Sequence, residues 1–184
     1  MRIIGITGTI GAGKGEVVEY LKKKGFTHFS AREFILNEVR KRGLEANRDN
    51  TTSVANDLRK AGGPGYIIES LYKMAEATEK DSVIESVRAI GEVNFLRAQE
   101  NFTLLAVDAD PKIRYERVIE RKSALDHVTF EKFLSDEQRE MLSSDPTKGS
   151  ISDCIKLADF KLMNDGTREE LYAKVEEILE KLPK

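Results

Sequence analysis

Eight residues near the start of the chain, Gly8-Thr9-Ile10-Gly11-Ala12-Gly13-Lys14-Gly15, form a glycine-rich run. An apolar stretch at residues 3–7 precedes the run, and a helical pattern of apolar residues begins near Lys14. Glycines let the backbone curl so that successive amides point inward at phosphate oxygens, while the positive end of the next helix faces the same anion. Lys14 adds a compact cation for the outer phosphates. The run therefore predicts a polyphosphate-binding loop between a strand and a helix.

The end of this loop, hereafter the P-loop, departs from the usual pattern. Most such loops continue after the lysine with Ser or Thr, whose hydroxyl binds magnesium, whereas here Gly15 and Glu16 follow Lys14. Mg²⁺ must then be held by water, nucleotide oxygens and carboxylates elsewhere. The ending GAGKG resembles the adenylate kinase and UMP/CMP kinase branch of small P-loop kinases. That resemblance implies ATP and Mg²⁺ as cofactors and assigns residues 8–16, Glu16 included, to nucleotide binding.

Length and composition restrict the class of protein. A chain of 184 residues with 40% apolar and 34% charged residues is expected to form one globular domain without a membrane span. A net charge of −2 provides no overall field for nucleic acid, so we expect no nucleic-acid partner. Because the chain enters a strand at once, we expect no signal peptide and a cytoplasmic location. The single cysteine, Cys154, is expected to be a buried small apolar residue.

Strand-like runs alternate with helical patterns along the chain. We predict strands at residues 2–7, 27–30, 82–87, 102–108 and 159–163. Helices are predicted at residues 13–24, 32–42, 53–61, 65–77, 91–100, 111–121, 130–142 and 168–182. This alternation is typical of a parallel sheet with helices on both faces. The predicted fold is α/β, a three-layer α/β/α P-loop NTPase fold with a five-stranded parallel sheet.

Two segments fall outside the strand–helix core, which we place at residues 1–31, 78–122 and 153–184. Residues 32–77 put about three helical segments between the second and third strands, and residues 123–152 insert a polar segment with one helix. The resemblance to small P-loop kinases assigns the first segment to acceptor binding and the second to a lid over the nucleotide. Lid closure excludes water from such a site.

The third strand carries a carboxylate, Glu85, close to its carboxyl end, and Arg88 follows just beyond it. In an open parallel sheet this edge faces the ligand crevice. The stretch resembles the adenylate kinase strand that ends in Asp-Gly-x-Pro-Arg. Here Glu replaces the Asp, Ser replaces the Gly, and the Pro is missing. The resemblance assigns Glu85 to magnesium, through water, and Arg88 to the acceptor phosphate or the transferring group.

Arginines follow the fourth strand at helical spacing. Arg114, Arg117 and Arg121 are three and four residues apart, so they share one face of a helix. Positioned cations are the main catalytic device in phosphoryl transfer, although Glu116 and Glu120 offer intrahelical pairs as an alternative. The stretch resembles the Arg-x-x-x-Arg of adenylate and dephospho-CoA kinases, which assigns catalytic roles to Arg117 and Arg121. Arg139 is a further candidate in the lid segment.

The last predicted strand ends in a turn, Asn164-Asp165-Gly166, and Thr167 with Glu170 forms a capping box for the final helix. The turn resembles the loop of dephospho-CoA kinases that borders the adenine. That resemblance assigns Asn164 and Gly166 to the nucleotide, while the turn and the cap already explain most of these residues structurally.

The acceptor candidates follow the second predicted strand. The stretch Ser30 to Phe34 stands where adenylate kinases place Ser-Thr-Gly-Asp, which indicates Arg32 and Glu33 as acceptor contacts. Arg48, in the stretch Asn47-Arg48-Asp49, and Arg59, on the helix that follows, are further candidates for phosphate or base contacts. His28 and His127 are expected to be packed or surface imidazoles, because the predicted chemistry needs no histidine base.

Three functions remain open from the sequence. The first is an ATP-dependent phosphotransferase that moves the γ-phosphate of ATP to a small-molecule nucleotide-like acceptor, in particular a (deoxy)nucleoside monophosphate. The second is a dephospho-CoA kinase that phosphorylates a ribose hydroxyl, a reaction that benefits from a carboxylate base. The third is a nucleotide-binding regulator or slow ATPase, which Gly15 disfavours because such proteins generally carry Ser or Thr there. Arginines outnumber carboxylates at the predicted acceptor wall, which favours the first function.

Overall fold

Five parallel strands form one sheet in the order β2-β3-β1-β4-β5 in a computed structural model that describes residues 1–120, 129–141 and 150–183. The strands are β1 (Ile3–Gly8), β2 (Thr27–Ser30), β3 (Ser82–Glu85), β4 (Phe102–Asp108) and β5 (Phe160–Met163). All four strand pairings are parallel. The carboxyl ends of the strands therefore lie at one edge, where the P-loop leaves β1.

Helices connect the strands over both faces. They are α1 (Lys14–Lys23), α2 (Ala31–Lys41), α3 (Arg48–Gly62), α4 (Tyr66–Glu76), α5 (Ile90–Arg97), α6 (Pro111–Glu120), α7 (Phe130–Met141), α8 (Ile151–Leu157) and α9 (Arg168–Lys181). The predicted three-layer α/β/α architecture and the five-stranded parallel sheet are confirmed. None of the helices described is long and apolar enough to cross a membrane.

Two apolar cores cover the two faces of the sheet. Ile4 and Ile6 of β1 point to the face covered by α1 and α9, whereas Ile3 points to the face covered by α4, α5 and α8. Every residue of β1 is buried, as expected for the central strand of a parallel sheet with both faces covered. Cys154 of α8 is buried in the second core as predicted, and burial raises the pKa of its thiol to about 12.

Local backbone chemistry explains where the predicted boundaries were wrong. The third strand ends at Glu85 rather than at residue 87, because Ser86 adopts a left-handed conformation with φ 75° that breaks the extended backbone. Helix α3 begins at Arg48 rather than at residue 53, because the side chain of Asn47 accepts the amide hydrogen bond of Asn50.

Helix α8 is an element that the sequence prediction missed. Its seven residues are too few to show a clear helical period, and they lie next to the polar segment that was assigned to the lid. The side chain of Ser150 caps the helix by accepting the amide of Asp153. The helix buries Ile151 and Cys154 against the sheet.

Two P-loop glycines provide a matched test of this backbone. Gly13 has φ 94°, and a Cβ there would overlap the side-chain amide of Asn164, whereas a Cβ on Gly15 would meet nothing within 4 Å. We expect Gly13→Ala to lower the free energy of unfolding by about 1–3 kcal/mol. Gly15→Ala should raise it by about 0.5–1 kcal/mol, because Gly15 lies inside the first turn of α1. Urea denaturation measures both, and equal effects would contradict the described loop.

Candidate active site

The P-loop joins the end of β1 to the start of α1 through three glycines with positive φ, at Gly8, Gly11 and Gly13. A Cβ on Gly8 would overlap the carbonyl oxygen of Val107, and one on Gly11 would lie 2.5 Å from the carbonyl oxygen of Arg114. These contacts leave no room for side chains on the inner side of the loop. The loop is therefore curled against β4 and α6, in the form that directs backbone amides at an anion.

Lys14 folds over the P-loop. Its ammonium donates hydrogen bonds to the carbonyl oxygens of Gly8 at 2.9 Å and Thr9 at 2.6 Å. Both acceptors are loop carbonyls, so the cation lies over the concave side of the loop, where outer phosphates of a nucleotide bind in this motif.

Side chains from the neighbouring strand ends brace the P-loop. The hydroxyl of Thr9 donates to Asp108 at the end of β4, at 2.6 Å. The amide of Asn164, which follows β5, donates to the carbonyl oxygen of Ala12 at 2.8 Å and is buried. The loop is thus fixed to two adjacent strands at the edge of the sheet.

Arg114 also holds the loop in place. It is 3% exposed, and it donates to the carbonyl oxygens of Ala109 at 2.8 Å and Ile10 at 3.3 Å. Its two terminal nitrogens, Nη1 and Nη2, also donate to the carboxylate of Glu137 of α7. Arg114 therefore serves the structure rather than a bound anion, and neither Glu116 nor Glu120, the intrahelical partners considered from the sequence, is its partner.

The ion pair between Arg114 and Glu137 also anchors α7, which belongs to the segment predicted to be a lid. The ring of Phe133 lies under the Arg114 guanidinium, with 5.7 Å between the guanidinium carbon and the ring centre. Tyr115 packs against Phe130 and Phe133, with ring centres 5.3 and 5.6 Å apart. Helix α7 is thus packed on α6 in this structure.

A cavity of about 380 Å³, the P-loop cavity, opens beside the P-loop. Its walls are formed by Gly13, Glu16, Arg117, Glu120, Asn164, Gly166, Arg168 and Leu171. Five of these eight residues were predicted to bind the nucleotide. Glu16 is held by Arg168 at 2.9 Å and by the hydroxyl of Tyr172 at 3.3 Å, both from α9.

Arg117 lines the P-loop cavity and carries a hydrogen-bond donor that is not used by the described residues. Its Nη1 atom is buried and has no hydrogen-bond partner among the residues that the structure describes. A buried donor without a partner costs free energy, and a positively charged one is best satisfied by an anionic oxygen. This orphaned nitrogen, together with the curled loop and Lys14, fits a polyphosphate.

Glu85 lies at the carboxyl end of β3, as predicted, and has an unexpected neighbour. Its Oε2 is 3.1 Å from Nε2 of His28, which comes from the adjacent strand β2. The hydrogen bond with His28 lowers the pKa of Glu85, with smaller contributions from the charges of His28, Lys14 and Arg88, and burial opposes the shift. Glu85 is therefore held as a carboxylate close to the P-loop lysine.

A second cavity of about 640 Å³, the arginine cavity, lies between the third strand end and helices α2 to α5. Arg32, Arg59 and Arg88 all line it, along with the apolar side chains of Ile35 and Ile67. Three of the four predicted acceptor arginines are thus brought together, although they come from three separate parts of the chain.

Glu33 lies elsewhere. Its carboxylate pairs with Arg40 at 2.8 Å on the exposed side of α2 and does not line the arginine cavity. Successive residues of a helix point about 100° apart, so Arg32 and Glu33 face different surroundings. Arg121, with residues 122–128 and 142–149, lies outside the described residues, as do the side chains of Arg48 and Arg139.

Sequence reasoning missed two residues of the site. His28 was set aside because no base was needed, yet alternation along β2 places it beside Glu85. Glu92 is buried in the wall of the arginine cavity, where its carboxylate caps α5. The spacing of Glu92 from Ala89 matches the third position of a helix, which was the available signal.

The sheet order, the P-loop and the two cavities at one sheet edge are those of the P-loop kinase fold. Two solved structures are similar to this one over nearly the whole chain. TT1252 from Thermus thermophilus matches with a TM-score of 0.64 and 20% identity, over 100% of this chain and 98% of that one. Shikimate kinase from Bacteroides thetaiotaomicron matches with a TM-score of 0.64 and 14% identity, over 97% of this chain and 98% of that one. Dephospho-CoA kinase from Campylobacter jejuni is also similar (TM-score 0.54, 13% identity, 98% and 96%). At these identities the likeness is one of fold.

The sequence comparisons identify the family. Residues 4–141 match the AAA domain family. Over its length the chain is 31% identical to a UPF0200 protein of Thermococcus kodakarensis (98% of this chain, 97% of that protein) and 32% identical to one of Methanocaldococcus jannaschii (99% and 91%). The chain therefore belongs to the UPF0200 family and carries an AAA domain.

Arg114 and Arg117, one turn apart on α6, provide a test of their different roles. Arg114→Met leaves Glu137 without its cation and should lower the free energy of unfolding by about 3 kcal/mol. Arg117→Met removes a donor that has no partner among the described residues, so the free energy of unfolding should not fall. Urea denaturation separates the two, and similar losses in both variants would contradict the assignment.

Proposed function

We propose that this protein is an ATP-dependent phosphotransferase that moves the γ-phosphoryl group of ATP to a phosphate-bearing, nucleotide-like acceptor, in particular a (deoxy)nucleoside monophosphate. The proposal rests on the three arginines that line the arginine cavity and on their lack of partners among the described residues. None of the guanidiniums of Arg32, Arg59 and Arg88 makes a hydrogen bond or an ion pair within 4 Å among the described residues.

Other arginines of the same region are paired. Arg40 binds Glu33, and Arg42 binds Asp57, each at 2.8 Å on the exposed sides of α2 and α3. Guanidiniums that line one cavity without carboxylate partners are available to an anionic ligand, and phosphate suits their planar, multiple donors. A phosphate acceptor is already nucleophilic at neutral pH and mainly needs such cations to relieve charge repulsion.

The P-loop cavity supports ATP as the donor. The P-loop amides and Lys14 would hold the outer phosphates, Arg117 would bind a phosphate oxygen, and Asn164 and Gly166 would border the base. Shikimate kinase and dephospho-CoA kinase, two of the structural neighbours, are named for different acceptors, so the fold alone does not select one.

Magnesium is expected to accompany the nucleotide. No group of three or more His, Cys, Asp or Glu side chains able to hold a metal occurs among the described residues, and Gly15 has no hydroxyl. Glu85 is the carboxylate at the strand end beside Lys14, and it would orient water on the ion. When bound, the ion offsets charge on the phosphates; positioning of the acceptor falls to Arg32, Arg59 and Arg88.

In the proposed reaction an oxygen of the acceptor phosphate forms a bond to the γ-phosphorus, and the bond from that phosphorus to the β–γ bridging oxygen breaks. ADP and a phosphorylated acceptor leave. Lys14 and Arg117 stabilise charge on the phosphates of the donor. Arg88 lies just past β3 and is the arginine of the arginine cavity that lies nearest in sequence to Glu85.

A panel of acceptors tests this function. ADP release from ATP and magnesium is measured alone and with ribo- and deoxyribonucleoside monophosphates, nucleosides, dephospho-CoA and shikimate. The proposal expects little turnover alone and strong stimulation by a monophosphate. Stimulation by dephospho-CoA alone would support the hydroxyl alternative, and ATP binding without stimulation by any acceptor would support a regulator or slow ATPase.

Arg88→Met tests the acceptor assignment, with Arg40→Met as the matched control from the paired arginines. Loss of a charge-assisted contact to the acceptor phosphate should lower kcat/KM for the acceptor by about 10- to 100-fold, with little change in ATP affinity. Arg40→Met should leave both constants unchanged. Steady-state kinetics at varied acceptor and fixed ATP measures the effect; equal losses in the two variants would refute it.

A further inference from the structure

Glu92 is a buried carboxyl in the wall of the arginine cavity. It is 5% exposed and lines the cavity together with the three arginines. Its Oε2 accepts hydrogen bonds from the backbone amides of Arg88 at 2.8 Å and Ala89 at 3.1 Å. Its Oε1 accepts no hydrogen bond from the residues that the structure describes. One oxygen is thus used to cap α5 and the other remains for a ligand.

The charges that face Glu92 come from several elements. Arg59 and Arg88 act on its carboxylate, and Arg32 lines the same cavity from α2. Helix α4 contributes the apolar Ile67 and Ile68. Helix α8 presents Cys154, whose thiol stays neutral because its pKa is raised to about 12, and Asp153 interacts with that thiol.

Burial dominates the electrostatics of Glu92. Loss of water raises its pKa, and the two backbone amides with Arg59 and Arg88 only partly oppose that effect. Among the described residues that line the arginine cavity, Glu92 is the one carboxyl. Its ionised form is therefore the one negative charge that an incoming anion meets among these described lining residues.

An incoming phosphate changes this balance. It takes over the arginines and brings negative charge close to a carboxylate that is already poorly solvated. A nearby like charge favours the protonated form of a carboxylic acid. The protonated carboxyl can then donate a hydrogen bond to a phosphate oxygen through the atom that has no protein partner.

We propose that Glu92 takes up a proton when the acceptor phosphate binds among Arg32, Arg59 and Arg88, so that binding of phosphate-bearing acceptors in the arginine cavity is coupled to pH. This inference rests on the proposed function, because it assumes that the cavity receives the acceptor. The proton comes from solvent and returns to it when the ligand leaves, and no covalent bond changes. Glu92 thus makes acceptor binding depend on pH, and it is distinct from the groups that contact the transferring phosphoryl.

NMR of protein labelled at the glutamate side-chain carboxyl carbon tests the proposal directly. The signal of Glu92, assigned by its absence in E92Q, is titrated with pH with and without sulfate. Sulfate is the probe because it stays a dianion over the whole range, so a proton taken up must reside on the protein. We expect sulfate to raise the midpoint of the Glu92 titration by about one pH unit or more.

Repeating the titration in two variants locates the effect. Sulfate can also bind the P-loop, so the shift of the Glu92 midpoint should persist in Lys14→Ala. It should shrink in Arg59→Met, because that variant weakens anion binding in the arginine cavity. Guanidinium signals of Arg59 and Arg88 report whether sulfate occupies the cavity.

Three outcomes are distinct. A raised Glu92 midpoint with shifted arginine signals supports the inference. Shifted arginine signals with an unchanged midpoint overturn it, since Glu92 is then only the cap of α5, while the proposed function stands. Unchanged arginine signals at saturating sulfate overturn both the inference and the assignment of this cavity to the acceptor phosphate.

E92Q provides an independent readout of affinity. Its side-chain oxygen can still accept the amides of Arg88 and Ala89, and its amide nitrogen imitates the protonated acid. Sulfate should bind E92Q about tenfold more tightly than the wild-type protein in alkaline solution and equally in mildly acidic solution, by calorimetry. Glu38→Gln, on the paired outer side of α2, should show no such pH-dependent difference. Identical pH profiles for E92Q and wild type would overturn the inference.

Discussion

The close packing of the P-loop backbone against the ends of β4 and β5 is the constraint on which the rest of the site depends. Asn164 donates to the carbonyl of Ala12, and a side chain on Gly13 would displace that same amide. Thr9 is tied to Asp108 from the other side. Because these contacts join the loop to two strands at once, the curl of the loop follows from the register of the sheet. Lys14 lies over the same loop, where its ammonium donates to the carbonyl oxygens of Gly8 and Thr9.

The packing around the P-loop also determines which arginines have protein partners. Arg114 has a structural role, since it donates hydrogen bonds to backbone carbonyl oxygens and to Glu137. Arg117, one turn later, lines the P-loop cavity and keeps a buried nitrogen that has no partner among the described residues. In the arginine cavity the cations converge with a single buried carboxyl, Glu92, among the described lining residues. A P-loop and a cavity lined by three arginines at one edge of a sheet suit the transfer of a phosphoryl group between two anionic molecules.

Much of this could be predicted from the sequence, and the failures have physical reasons. Motif spacing and strand–helix alternation predicted the parallel sheet and the P-loop, because both are determined by local backbone chemistry. Helical spacing alone could not distinguish Arg114 from Arg117, since their difference arises from Glu137 on a helix that packs there only in the folded chain. The contact of His28 with Glu85 depends on which strands are neighbours, and the placement of Glu33 outside the arginine cavity depends on the rotation of α2.

The most direct measurement of the central claim is a crystal structure with a bisubstrate compound in which two nucleosides are joined through a chain of five phosphates. The account predicts that one nucleoside lies in the P-loop cavity beside Asn164, that the phosphates pass under Lys14, and that the second nucleoside enters the arginine cavity with its phosphate on Arg88. A compound bound only through the P-loop, with its second nucleoside in solvent and the arginine cavity unchanged, would contradict it.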